Sequence, residues 1–201
     1  MRSFVSEFLG TLFLVATVVG SGIMADNLSM GNQAVALLAN AISTGAILYV
    51  LIIIFSELSG AHFNPVVSLI MFMMKKISLS DFLAYVFFQI MGGVLGAFLA
   101  HFMFEMSIIQ LSTNVRTGSS QYFSEVIAAF GLVLTILLGL KYKRESIATL
   151  VALYITAAYW FTSSTSFANP AVTIARTFTD TFSGIQNSDT VPFIMAQILG
   201  G

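Results

Sequence analysis

Three short signatures occur twice in this chain, in the same order. Ser6-Glu7 returns as Ser124-Glu125. Asn64-Pro65-Val66-Val67-Ser68 returns as Asn169-Pro170-Ala171-Val172-Thr173, and Gln89-Ile90-Met91-Gly92-Gly93 as Gln197-Ile198-Leu199-Gly200-Gly201. The chain therefore reads as two related units, residues 1–112 and 113–201. Between the signatures run continuous apolar stretches at 4–23, 33–55, 82–104, 122–140 and 146–163, each near the roughly 20 residues that a bilayer-crossing helix needs. A sixth would begin near Val191 and reaches only Gly201, about half a bilayer at roughly 1.5 Å per residue. Each unit thus holds an odd number of spans, three, so the second must lie upside down relative to the first. That is the inverted-repeat plan of membrane transport proteins.

Composition agrees. Of 201 residues 57% are hydrophobic and 8% charged, against about a quarter charged in a soluble domain. The apolar runs are continuous rather than alternating, which favours a helical bundle over a β-barrel. The first run is longer than the apolar part of a cleavable signal and is followed by an equally apolar one. A net charge of −1 gives no surface for a nucleic acid, and zero cysteines remove disulfides, thiolate metal sites and cysteine nucleophiles. Basic residues in the connections, Arg2, Lys75, Lys76, Lys141, Lys143 and Arg144, fall on one side of the bilayer if the spans alternate. Both termini are then expected in the cytoplasm once the sixth span is complete.

Two apolar pieces, 64–74 and 169–178, are too short to cross, and each opens on Asn-Pro. Proline suits the first turn of a helix, so both are expected to be half-helices that start inside the membrane and enter from opposite faces. Their positive N-terminal ends then meet near the midplane. The residues before them, 59–63 and 163–168, are small and polar, as unwound backbone lining a cavity should be. Asn64 and Asn169 can cap the half-helices and aim amide donors inward. Two converging dipoles and no ring of carboxylates oppose cations and favour a neutral solute with acceptor lone pairs.

These residues resemble the aquaporin and aquaglyceroporin superfamily of major intrinsic proteins. SGAHFNPVVS is similar to its first Asn-Pro-Ala loop and FANPAVT to its second, while SEFLGT and the later SEV resemble its paired glutamates. The resemblance runs through the whole chain except the end of the sixth helix; because the first copy of the repeat continues through Val94 to Phe104 where the second stops at Gly201, a C-terminally shortened form of a longer protein is expected. It implies an all-α bundle of six transmembrane helices and two re-entrant half-helices, one pore per subunit, usually a homotetramer. It also implies passive conduction of water or small uncharged solutes, with no enzymatic activity and no cofactor. Selectivity by pore diameter, lining groups and electrostatic barriers is a rule already drawn from aquaporin pores and is borrowed here.

By the resemblance, Asn64, Pro65, Val66, Asn169, Pro170 and Ala171 form the pore midplane. Val66 stands where the family usually has alanine, a change expected to leave the Asn64 donor in place. The family's arginine directly after the second motif is replaced by Val172, and the nearest arginine, Arg176, follows one helical turn later. Two readings of Arg176 stand: a displaced constriction charge, or a side chain that snorkels to the interface or pairs with Asp180. Counting back without gaps from each asparagine gives Thr44 and Ala157 as the other constriction positions. Both are small, which predicts a pore wide enough for glycerol-sized polyols or neutral metalloid hydroxides such as arsenous, boric or silicic acid. A shift of register would bring in Tyr49, Tyr159 or Trp160.

Glu7 and Glu125 lie in apolar spans, where a carboxylate must be bonded. The resemblance makes them acceptors for the N–H groups of the Asn-Pro loops; a proton-relay pair is the other reading. Glu57 is expected at the interface, His62 in the vestibule and His101 as a bonded structural histidine, with no metal site at either histidine. Gly92 and Gly96 form a close-crossing pair, within the bundle or between subunits. The partners expected are water, small neutral solutes and the lipid bilayer, in a multi-pass cell-membrane protein, with short loops suggesting a bacterial inner membrane. A coupled secondary transporter and a non-conducting membrane scaffold are the competing readings.

Overall fold

A computed structural model describes all 201 residues, and the chain is helical throughout. The helices are α1 (Arg2–Leu28), α2 (Gln33–Ser59), α3 (Pro65–Met73), α4 (Leu79–Met103), α5 (Ser119–Tyr142), α6 (Ile147–Phe161), α7 (Pro170–Ala175) and α8 (Asn187–Gly200). The order long, long, short, long occurs first as α1 to α4, and α5 to α8 follow it with shorter members. Four helices, α1, α2, α4 and α5, are long and apolar enough to cross a membrane. The fifth predicted span is shorter than expected, because its first turn is a 3₁₀ turn (Arg144–Ser146) and extended backbone begins at Thr162. The last helix starts at Asn187 rather than near Val191.

Local chemistry sets the boundaries. The Asn32 side chain accepts the backbone N–H groups of Ala34 (3.1 Å) and Val35 (3.2 Å) to start α2, and Ser78 accepts that of Asp81 (3.1 Å) to start α4. Helix α2 stops at Gly60, whose φ of +85° turns the chain left-handed. The short helices α3 and α7 open on Pro65 and Pro170, with Asn64 and Asn169 as caps. The second half-helix is shorter than predicted: regular α-helix ends at Ala175 and Arg176–Phe178 tightens into a 3₁₀ turn.

Helix α1 lies at the centre of its unit, packed against α2 and α4. A Cβ on Gly92 would strike the carbonyl of Phe8, and one on Gly96 the carbonyl of Leu12, so this glycine pair brings α4 onto the backbone of α1. The predicted close crossing is therefore within the bundle. Gly200 repeats the device, with the carbonyl of Val126 in α5 where a Cβ would be. The core joins Val15, Val19, Ala97, Ala100, Leu132 and Val172. Leucine, isoleucine and phenylalanine side chains cover the outside, while Glu7, Gln89, Glu125 and Gln197 are fully buried, the polarity of a protein solvated by lipid.

The loop between α4 and α5 is strapped across the end of α7. The N–H of Ser112 donates to the carbonyl of Thr177 (2.9 Å), that of Thr113 to Asp180 (2.8 Å) and that of Arg116 to Asp189 (2.7 Å). His101 sits beneath, bonded through Nδ1 to the Ile108 carbonyl (2.7 Å) and through Nε2 to Thr179 (2.8 Å). Both ring nitrogens are used, which fits the structural role expected for it.

Gly96→Val should lower the thermal midpoint of the detergent-solubilised protein, at a cost of about 1–3 kcal/mol from overpacking. The neighbouring exposed Leu95→Val should change stability by less than about 0.5 kcal/mol. Equal midpoints for the two would remove the close-crossing role of Gly96.

Candidate functional site

The residues before each half-helix run through the left-handed region, at Ala61 (φ +51°), Phe63 (+47°), Thr165 (+61°), Ser166 (+50°) and Ala168 (+47°). Such backbone costs about 1–2 kcal/mol per residue and points its N–H groups away from any helix. Two buried carboxylates take up those donors. Glu7 accepts the N–H groups of His62 (2.9 Å) and Phe63 (2.6 Å), the hydroxyl of Ser59 (2.6 Å) and the amide of Gln89 (2.8 Å). Glu125 accepts the N–H groups of Phe167 (2.9 Å) and Ala168 (2.8 Å) and the amide of Gln197 (2.6 Å).

Gln89 and Gln197 carry a part that sequence reasoning missed. Each amide also donates into the adjacent half-helix, Gln89 to the hydroxyl of Ser68 (3.0 Å) and Gln197 to that of Thr173 (2.8 Å). The signal was present: glutamine, serine or threonine, and glutamate recur together in the repeated signatures. With donors on both oxygens of each carboxylate, the geometry is that of a brace.

Asn64 and Asn169 each do two things. Their side-chain oxygens cap, Asn64 accepting from Val66 (2.9 Å) and Asn169 from Ala171 (3.0 Å) and Val172 (3.3 Å). Their amide nitrogens cross over: Asn64 donates to the carbonyl of Ala168 (2.7 Å), and Asn169 to that of Phe63 (2.8 Å). An amide has two N–H groups, so one remains on each asparagine. Both residues line a cavity of about 1130 Å³ inside the bundle. Pro65, Val66, Pro170 and Ala171 are buried beside them.

Toward one end the cavity is bordered by Glu57, Lys76, Lys141 and Arg144, and His62 lines it between there and Asn64. The His62 Nδ1 is 3.0 Å from the Ser68 hydroxyl. At its other end lie Thr44, Tyr159, Val172, Arg176 and Phe167. Leu14, Val18, Leu48, Leu132, Val151 and Ile155 make up much of the wall between. No group of three or more histidine or acidic side chains is placed to hold a metal ion.

Ala157 is the correction. It is exposed on the outer side of α6 and absent from the cavity lining, where Tyr159 takes the corresponding place. A count along the chain does not carry the register of α6 through the loop 162–168, whose backbone turns at positive φ through Thr165, Ser166 and Ala168. Tyr159 was one of three residues named for a shifted register; the other two, Tyr49 and Trp160, are 42% and 49% exposed and face outward.

Arg176 follows neither alternative to a cavity position. It is 2% exposed, so it does not snorkel, and Asp180 is occupied by the N–H and hydroxyl of Thr113 (2.8 and 2.9 Å). The guanidinium instead lies 3.4 Å from the centroid of the Phe167 ring and donates through Nε to the carbonyl of Ser183. Arg116 stands 4.9 Å from the same ring and donates to the carbonyls of Gly184 (2.9 Å) and Ser164 (3.3 Å).

A family profile described as major intrinsic protein matches residues 1–163. The chain belongs to that family. Its members are channels and not enzymes, and this is a multi-pass membrane protein. A relative from Rhizobium meliloti (strain 1021), aquaglyceroporin AqpS, is 56% identical over 99% of this chain and 85% of its own length. An aquaglyceroporin from Toxoplasma gondii is 32% identical over 86% of this chain and 64% of its own. The X-ray structure of the aquaglyceroporin from Plasmodium falciparum superposes with a TM-score of 0.78 at 21% identity, covering 99% of this chain and 91% of that one. The family bundle expected from the sequence is thus the fold of this chain.

Glu125→Leu would leave three buried donors without acceptors. At about 1–3 kcal/mol each, it should destabilise the protein by 3 kcal/mol or more as an order-of-magnitude estimate, read as loss of folded protein in detergent on heating. Full stability in that variant would refute the bracing role.

Proposed function

We propose that the protein is a passive channel that conducts water and glycerol-type small neutral solutes while excluding ions and protons. The observation that carries this is the pair of asparagines at the ends of α3 and α7, each with one amide N–H remaining and both lining one cavity. A neutral solute with lone pairs can exchange its water for these donors. A cation gains nothing from them and meets the positive ends of two helices. Hydrogen-bond replacement along a narrow, largely apolar wall is the mechanism.

The identity of the relatives supports the substrate class, since the 56% identical protein is named an aquaglyceroporin. Thr44, Tyr159, Val172 and Arg176 form the selectivity constriction in this reading, and Tyr159 makes it narrower than Ala157 would have. Neutral metalloid hydroxides such as arsenous or boric acid, close to glycerol in size and hydroxyl content, remain within the proposed range. The proposed setting is a bacterial inner membrane, with cytoplasmic termini in a completed bundle, units 1–112 and 113–201 inverted in the bilayer, and four subunits in a homotetramer.

The test is light scattering of proteoliposomes under an osmotic step, with water, glycerol and arsenous acid compared against protein-free vesicles. Flux should be fast, non-saturating and insensitive to a proton gradient. Flux that saturates and follows the gradient would indicate a coupled transporter, and no flux above empty vesicles a scaffold. Asn169→Asp should either lower water permeability by about tenfold, the effect of roughly 1.4 kcal/mol at the barrier, or admit cations, measured as conductance. Wild-type values on both counts would sink the midplane assignment.

A further inference from the structure

The loop strapped across the end of α7 carries no charged side chain from Met106 to Val115, and its two sides differ. Gln110, Ser112 and Asn114 turn inward. The N–H of Asp180 donates to the Gln110 side chain (3.0 Å), the N–H of Ser112 to the carbonyl of Thr177 (2.9 Å), and the Asn114 amide to the carbonyl of Thr181 (2.6 Å). Ile109 and Leu111, between them, turn outward and are 69% and 71% exposed. Thr113 ends the apolar edge. Large aliphatic side chains displayed together on an otherwise polar loop mark a contact surface.

The turn after α4 fixes where this edge lies. Glu105 (φ +55°) reverses the chain, the N–H of Met106 donates back to the carbonyl of His101 (2.9 Å), and the Nδ1 of His101 donates to the carbonyl of Ile108 (2.7 Å). Ile108 is thus held at the last turn of α4 instead of running out beyond it. Helix α4 has 25 residues, about 37 Å at roughly 1.5 Å each, against a hydrocarbon core of roughly 30 Å. Its last turn therefore stands at the boundary between acyl chains and headgroups. Phe102 and Met103 in that turn are exposed, part of the apolar surface that α4 presents to lipid, and Ile108, Ile109 and Leu111 continue it. The nearest charge, Glu105, is at the tip of the turn, past the end of the helix.

We propose that Ile108, Ile109 and Leu111 anchor the strap in the headgroup and upper acyl region of the leaflet on that side, so that the partner of this edge is the bilayer itself. The strap then has two grips: its polar side holds the chain that follows α7, and its apolar side holds lipid. Arg116, farther along the same strap, donates to the carbonyl of Ser164, so the anchored segment leads directly to the loop before the second half-helix. The proposal needs only the membrane setting, whatever the cavity conducts.

The test places single tryptophans in a Trp160→Phe background, since Trp160 is the one tryptophan of the chain. Ile109→Trp and Leu111→Trp probe the edge, and Met30→Trp, exposed in the turn between α1 and α2 on the same side, is the water-facing control. In vesicles, lipids brominated on the upper acyl chain should quench the two strap sites strongly and Met30→Trp weakly, acrylamide should act in the opposite order, and emission at the strap sites should be shifted to the blue. Acrylamide quenching as strong as at Met30→Trp overturns the proposal. So does protection from both quenchers, which would put a second copy or another protein on the edge. Without any tryptophan, Ile109→Ser combined with Leu111→Ser should speed hydrogen exchange of the bonded Ser112 and Thr113 amides in vesicles about tenfold, the equivalent of roughly two buried methylene groups. Unchanged exchange there also overturns the anchoring role.

Discussion

A helix that stops halfway across a bilayer leaves peptide groups where lipid offers them no partner. This chain has two such breaks, and the rest of the structure depends on how they are satisfied. Glu7 and Glu125 do it, each by accepting consecutive N–H groups of the loop that leads into a half-helix. A carboxylate is costly at that depth. Its cost is offset because charge-assisted bonds to backbone donors are roughly twice as strong as neutral ones, and because the same bonds hold several residues at positive φ. Gln89 and Gln197 then tie each brace to its half-helix, so loop, carboxylate and half-helix are joined by one set of hydrogen bonds.

From that brace the function follows by electrostatics. Holding α3 and α7 with their N-termini toward the cavity puts positive potential there without any titratable group. The apolar wall keeps the dielectric low, so the field is weakly screened. Near the far end, Arg176 is held over Phe167 rather than paired with a carboxylate. The sequence lacks the family's arginine after the second motif, yet the fold returns a guanidinium to the cavity one turn later. Tightening of the last turn of the half-helix into a 3₁₀ turn at Arg176–Phe178 accompanies that placement.

Much of this was legible in the residues themselves. Continuous apolar runs gave the helices, since a membrane span is set by length and hydropathy alone. Asn-Pro gave the half-helix starts, because the cap and the first-turn proline act locally. The paired glutamates were legible through the repeat. What could not be read was register across the irregular loop: Ala157 was placed in the pore, and Tyr159 stands there, because no sequence rule fixes how far a loop with three left-handed residues advances the chain. Arg176 was undecided for a related reason. Whether a cation snorkels or stacks depends on an aromatic ring, Phe167, brought beside it by tertiary packing.

The crossed bonds of the two asparagines have a consequence for heredity. Asn64 holds the carbonyl of Ala168, and Asn169 that of Phe63, so each half of the molecule fixes a loop belonging to the other. A change in one half therefore displaces a donor in its counterpart. Two halves that descend from one ancestral unit would be free to drift apart over their lipid-facing surfaces. The exchange fixes the two asparagines by identity, and Phe63 and Ala168, which offer only a backbone carbonyl, by position.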